Sequence, residues 1–248
     1  MEMNQIGQYQ KCITVTPSLC DASFSLGIAQ QFGLLQDIAA EHAEALGVGG
    51  AAMTARGAFW LAVHTRVEFF DTAKMMAPLT VTTWPVRCAP EDLRLNRLYR
   101  IESEGRVISE GRTEWMILNT QTGRLLRARD AGFPTDMTYC DEQVCAAPFS
   151  RVADTFSEDD VVYRRKAVFS DIDYGAHMNN VAYVRAMLDS FTAAEMNALR
   201  PKSMEIRYHE PCREGDGIAV YRKKTETGFV FAVKKAEGKL SATAVLTV

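Results

Sequence analysis

A chain of 248 residues that is 47% hydrophobic is long enough for one large domain or two small ones, each with its own core. With 28 basic against 31 acidic side chains and a net charge of −3, it has no global attraction to nucleic acid, and no Lys/Arg run is interleaved with stacking aromatics. No apolar run approaches the roughly 20 residues of a membrane span, and the opening MEMNQIGQYQKC lacks a basic-then-apolar signal pattern, so a cytoplasmic protein is expected.

The first helix is expected from Ile28 to Leu46, where Ile28, Phe32, Leu35, Ile38, Ala39, His42 and Leu46 form one stripe, and Gly47 and Gly49 end it. On that stripe His42 reads as a satisfied core histidine. Segments with strand character follow at Phe59–Phe70, Leu79–Arg87, Leu93–Ser103 and Val107–Leu118, the last closed by a turn at Asn119–Gly123. The order then recurs: a strand at Val161–Phe169, a helix at Val181–Leu199, and strands at Met204–His209, Gly217–Lys224, Phe229–Lys235 and Leu240–Val248. Six cysteines (12, 20, 88, 140, 145 and 212) show neither CxxC nor zinc spacing and are expected to be reduced, mostly buried thiols.

Recurrence of this order points to a duplicated unit. His64–Trp84 lies on Ser203–Lys223 without a gap, matching Val67 with Ile206, Phe69 with Tyr208, Leu79 with Ile218 and Val81 with Val220. Between the halves, Asp130–Asp160 is rich in Pro, Asp, Thr, Ser and Ala with weak periodicity and reads as a linker. The expected division is 1–147 and 148–248. A helix lying on a curved antiparallel sheet, twice over, is an α+β arrangement whose two sheets can join edge to edge. Phe24, Phe32, Met53, Phe59 and Trp60 are candidates to line a groove between the two helices.

Chemistry concentrates in Ser170–Phe191, SDIDYGAHMNNVAYVRAMLDSF. Asp173 and His177 sit close together just before a helix whose N-terminus offers unpaired N–H groups and positive partial charge. Asn179 and Asn180 are capping residues, and Val181, Val184, Met187, Leu188 and Phe191 follow at helical spacing.

With Ser170, Asp171, Asp173, Gly175, His177, Asn179, Asn180 and Tyr183 in an SDxDxNxHxNNxxY-like pattern, the chain resembles the acyl-acyl-carrier-protein (acyl-ACP) thioesterases. LGVG (Leu46–Gly49), GxxW (Gly57–Trp60), TVTTWP (Thr80–Pro85) and TEWMILNTQTGRLLR (Thr113–Arg127) extend the likeness to nearly the whole chain. The resemblance implies a tandem, or double, hot-dog fold, an acyl-pocket side in the first half and catalytic residues Asp173 and His177 in the second. Gly175 stands where the family has Asn. After Tyr208, Pro211 falls on the family's Glu position and Cys212 on its Cys position, so Glu210 and Cys212 are both candidates to complete the site.

Thioester hydrolysis needs an activated water or nucleophile and a stabilised oxyanion. Asp173 suits a general base or a nucleophile, and His177 can orient it or carry a proton to the leaving thiolate. Backbone N–H groups around Gly175, Ala176, Met178 and Asn179 are candidates to hold the carbonyl, and Trp60 to contact the acyl group. Asp171, Asp173, His177 and Glu210 lack metal-ligand spacing, and no glycine-rich turn links a strand to a helix, so neither metal nor cofactor is expected.

The resemblance implies release of free fatty acid from acyl-phosphopantetheine on acyl carrier protein, ending chain elongation. Docking of that acidic carrier is expected on Arg164, Arg165 and Lys166, or on Arg124, Arg127 and Arg129, and a homodimer is allowed. An acyl-CoA thioesterase and a non-catalytic acyl-binding or acyl-sensing protein are the alternatives.

Overall fold

Strands β1 (Ile6–Gly7) and β2 (Tyr9–Thr14) precede helices α1 (Ile28–Ala45) and α2 (Gly50–Ala55) in the computed structural model, which describes residues 6–248. Then come β3 (Ala58–Phe69), β4 (Pro78–Pro85), β5 (Leu95–Ser103), β6 (Arg106–Asn119), β7 (Leu125–Leu126) and β8 (Thr138–Tyr139). The second series is β9 (Val161–Lys166), α3 (Asn180–Leu188), α4 (Ala193–Ala198), β10 (Ser203–Tyr208), β11 (Gly217–Thr225), β12 (Gly228–Lys235) and β13 (Leu240–Thr247). Among these residues no helix is long and apolar enough to cross a membrane.

Apart from a short parallel pairing of β1 with β8, the strands form one antiparallel sheet of eleven, ordered β2-β4-β5-β6-β3-β10-β13-β12-β11-β9, with β7 on β6. The order is a palindrome: each strand left of the β3·β10 seam has its counterpart at the same distance on the right. Alternation assigns the faces. Tyr99 and Ile101 of β5 point into the core that also takes Phe32, Leu35 and Ile38 of α1, whereas Leu98 meets Trp84 on the other side. That same core holds Val184 and Met187 of α3 and Ile206 and Phe231, so it runs unbroken through both halves.

At the seam Arg66 faces Glu205. The gapless alignment of the halves superimposes these two positions, so on a seam of identical strands one residue would meet its own copy. Here Glu205, only 3% exposed, is met at 2.9 Å by Arg66 and at 2.8 Å by His64 Nε2, and it accepts the Ser150 N–H at 2.5 Å. A buried carboxylate needs this many partners.

Several expectations change. The helix expected over Val181–Leu199 is two helices, because Ser190 Oγ bonds back to the Met187 carbonyl at 2.6 Å and Thr192 with Glu195 forms a capping box that starts α4. The strand expected to reach Phe169 stops at Lys166 and passes into a 3-10 turn at Phe169–Asp171. Edge strand β2 and helix α2 lie where no element was expected, and the linker contributes β8. All six cysteines are free, but only Cys145 and Cys212 are buried. His42 is buried, 2.9 Å from the Arg97 guanidinium and stacked on Tyr9.

Candidate active site

Asp173 and His177 face each other across a tight hairpin. Ile172 bridges Met178, the Asp173 N–H donates to the His177 carbonyl at 2.9 Å, and the Ala176 N–H to the Asp173 carbonyl at 3.0 Å. Ala176 closes the loop with φ +57°, the left-handed residue that a three-residue hairpin loop requires. Directly opposed residues of an antiparallel pair carry their side chains on one face. Thus the backbone alone places the carboxylate and the imidazole on one face of the hairpin. Asp173 Oδ1 accepts the Gly175 N–H at 2.8 Å, while Oδ2 and the half-buried imidazole of His177 have no hydrogen-bond partner among the described residues.

The hairpin is anchored at its open end. The Met178 N–H donates to the Cys212 carbonyl and the Asn179 N–H to the Asp171 carbonyl, and Asn179 Oδ1 caps α3 by accepting the Val181 N–H at 2.9 Å. Burial alone would raise the Asp171 carboxyl, but Arg165 and the Val168 N–H outweigh it and hold it below its usual range. Consequently the amides of Gly175, Ala176 and Met178, expected to hold a carbonyl, are consumed by the turn and its anchor. Within that stretch the His177 N–H is the one left without a partner among the described residues.

The first half repeats this turn, which the sequence reading missed. Cys20 bridges Leu26, the Asp21 N–H donates to the Ser25 carbonyl and Phe24 N–H to the Asp21 carbonyl, and Asp21 Oδ1 accepts the Ser23 N–H at 2.9 Å. Phe24 takes the same φ of +57° as Ala176. Laying PSLCDASFSLG on FSDIDYGAHMN matches Asp21 with Asp173, and that shared Asp was the available signal. At the His177 position stands Ser25, bonded by Lys74 Nζ at 3.1 Å, so an Asp–His pair is present in the second turn alone.

Phe59 of β3 carries the first half into this corner. Its ring lies against Gly175 and tilts on Tyr174 with centroids 6.1 Å apart. The other expected groove residues scatter. Phe24 is 68% exposed, Phe32 belongs to the shared core, and Met53 with Trp60 sits in a separate cluster with Phe133; Trp60 Nε1 donates to the Val48 carbonyl at 2.8 Å. Between α1, the sheet and the start of α3 lies a cavity of about 20 Å³, with Phe32, Leu35, Gln36, Asn180 and Val181 on its helix walls.

Neither remaining candidate touches Asp173 or His177. Glu210 is exposed and turns outward to Lys239 at 3.6 Å. Cys212 is fully buried, its thiol donating to Ser241 Oγ at 3.2 Å and its N–H to the Tyr183 hydroxyl at 2.9 Å. Its carbonyl holds the Met178 N–H, so Cys212 is an anchor for the hairpin.

Residues 8–131 match the model of the acyl-ACP thioesterase N-terminal domain and residues 157–246 that of the C-terminal domain. The chain belongs to the acyl-ACP thioesterase family. A chloroplastic palmitoyl-acyl carrier protein thioesterase of Arabidopsis thaliana is 22% identical over 201 residues, 77% of this chain and 49% of that protein. An oleoyl-acyl carrier protein thioesterase from the same plant is 22% identical over 197 residues, 74% of this chain and 54% of that protein. The chain therefore spans about half the length of the curated relatives it matches. Among solved structures, an acyl-ACP thioesterase from Bacteroides thetaiotaomicron superimposes with a TM-score of 0.84 at 21% identity, covering 97% of each chain. A 12:0-ACP thioesterase from Umbellularia californica does so with a TM-score of 0.79 at 15% identity, over 97% of this chain and 96% of that one. The double hot-dog fold is thus shared by this acyl-ACP thioesterase family member.

Proposed function

We propose that the protein hydrolyses fatty acyl-ACP in the cytoplasm and releases free fatty acid, with Asp173 and His177 as the catalytic residues. The observation that carries this reading is their placement on one face of a hairpin, at the mouth of α3, with Asp173 Oδ2 and the imidazole both uncommitted. Asp173 takes a proton from water through Oδ2 while Oδ1 stays tied to the Gly175 N–H. The water oxygen bonds to the thioester carbon, and the negative charge moves to the carbonyl oxygen, where the His177 N–H and the positive end of α3 oppose it. Collapse of that adduct breaks the C–S bond, and His177, protonated, gives its proton to the departing thiolate. Asp173 then passes its proton through solvent to His177, which restores both groups for the next turnover.

The two halves divide near residue 148, and both are needed, because Phe59 of the first supports the turn of the second. With the halves already paired in one chain, the site needs no second copy. The carrier meets Lys166 and Arg124, which have no ion-pair partner among the described residues, whereas Arg164, Arg165, Arg127 and Arg129 are engaged by Glu158, Asp171 and Glu91.

The test is hydrolysis of acyl-ACP and acyl-CoA across chain lengths by wild type, Asp173→Ala and His177→Ala. Selective turnover of acyl-ACP, lost in both variants, supports the reading. Full activity of Asp173→Ala removes the mechanism, preference for acyl-CoA changes the carrier, and acyl binding without turnover makes the protein an acyl-binding one.

A further inference from the structure

The cavity beneath α1 lies inside the shared core, yet several of the residues that line it carry polar groups. Tyr99, Tyr208, Thr65, Thr113 and Trp115 are among the residues that line it. Thr65 and Thr113 bond each other at 3.1 Å. Tyr99 lies beside Thr113 and Trp115, and Tyr208 beside Thr65. Trp115 Nε1 nevertheless has no acceptor in hydrogen-bonding geometry, although it is shielded from solvent. A pocket for a plain alkyl chain needs none of these groups. The volume of about 20 Å³ suits one oxygen-sized guest.

The cavity is also close to the chemistry. Asn180 and Val181, the first residues of α3, are on its wall, three and four positions beyond His177, and the Tyr208 hydroxyl donates to the Asn180 carbonyl at 3.4 Å.

We infer that the preferred acyl group carries an oxygen close to the thioester, as in 3-hydroxyacyl or 3-oxoacyl chains; this rests on the thioesterase reading above. The substituent oxygen accepts the Trp115 N–H and meets the Thr and Tyr hydroxyls. A saturated chain entering the same space leaves the Trp115 N–H unpaired, and a buried polar group without a partner weakens recognition about tenfold. Displacing a water there without replacing its hydrogen bonds acts in the same direction.

The experiment compares kcat/KM for saturated and 3-hydroxyacyl-ACP substrates of matched length in wild type, Trp115→Phe and Thr113→Val, with melting curves to confirm folding. The expected result is a preference for 3-hydroxy chains of about tenfold in wild type, falling several-fold in at least one variant. Equal or better turnover of saturated chains at every length, or a preference untouched in both variants, overturns this inference and leaves the thioesterase reading standing. If neither series is hydrolysed, that reading falls, and quenching of tryptophan fluorescence by 3-hydroxydecanoate and decanoate decides the pocket. Tighter binding of the hydroxy acid supports the inference, and equal binding overturns it.

Discussion

Gly175 lies under the ring of Phe59: a Cβ on Gly175 would stand 2.9 Å from Cζ of that ring and 3.1 Å from Asp173 Oδ1. The two residues are 116 positions apart and in different halves. Phe59 thus fills the space where a side chain at position 175 would begin.

This pairing predicts coupling. Gly175→Asn forces the ring aside at a cost of about 1–3 kcal/mol, seen as a melting temperature lower by roughly 2–10 °C and a kcat/KM reduced about tenfold. Adding Phe59→Ala should restore part of both. Strictly additive losses in a double-mutant cycle would contradict the contact.

Asp173→Asn keeps an acceptor for the Gly175 N–H but cannot take a proton. Its kcat should fall by about 100-fold or more while its melting temperature stays within a few degrees of wild type. His177→Ala should lose a similar factor. Steady-state rates with calorimetry on the same samples separate this from unfolding.

Cys212 and Glu210 are predicted to act outside the chemistry. Cys212→Ala empties a buried site and strands Ser241 Oγ, costing about 1–3 kcal/mol, whereas Cys212→Ser keeps the bond and most of the activity. Glu210→Ala should change stability by less than about 0.5 kcal/mol. An inactive but stable Cys212→Ser would establish the thiol as a reactant.

Burial alone would raise the Glu205 carboxyl, but His64, Arg66 and the Ser150 N–H hold it below its usual 4.5. A lowered folded-state value gives stability that is fully present above 4.5 and lost as pH falls through the folded value. Glu205→Gln should therefore melt earlier than wild type at neutral pH, and the gap should close on acidification below about 4.5. A gap constant down to the lowest pH would show that ionisation of Glu205 contributes nothing.

Local pattern was enough for much of this protein. Helical spacing from Ile28 marks α1, alternation marks most strands, and the gapless alignment of His64–Trp84 on Ser203–Lys223 reproduces the sheet, since it places Arg66 on its seam partner Glu205. Asp173 and His177 were legible because a short hairpin brings neighbours in sequence together. The break between α3 and α4 was less so, since a run of apolar spacing hides the Thr192–Glu195 cap. What depended on distant contacts was decided by tertiary structure alone: Phe59 over Gly175, Glu210 turned to Lys239, Cys212 enclosed beside Ser241, and Tyr99, Trp115 and Tyr208 gathered around one cavity. Periodicity and spacing act over a few residues. Which side chains share a space 100 residues apart is set by how the two halves close on each other.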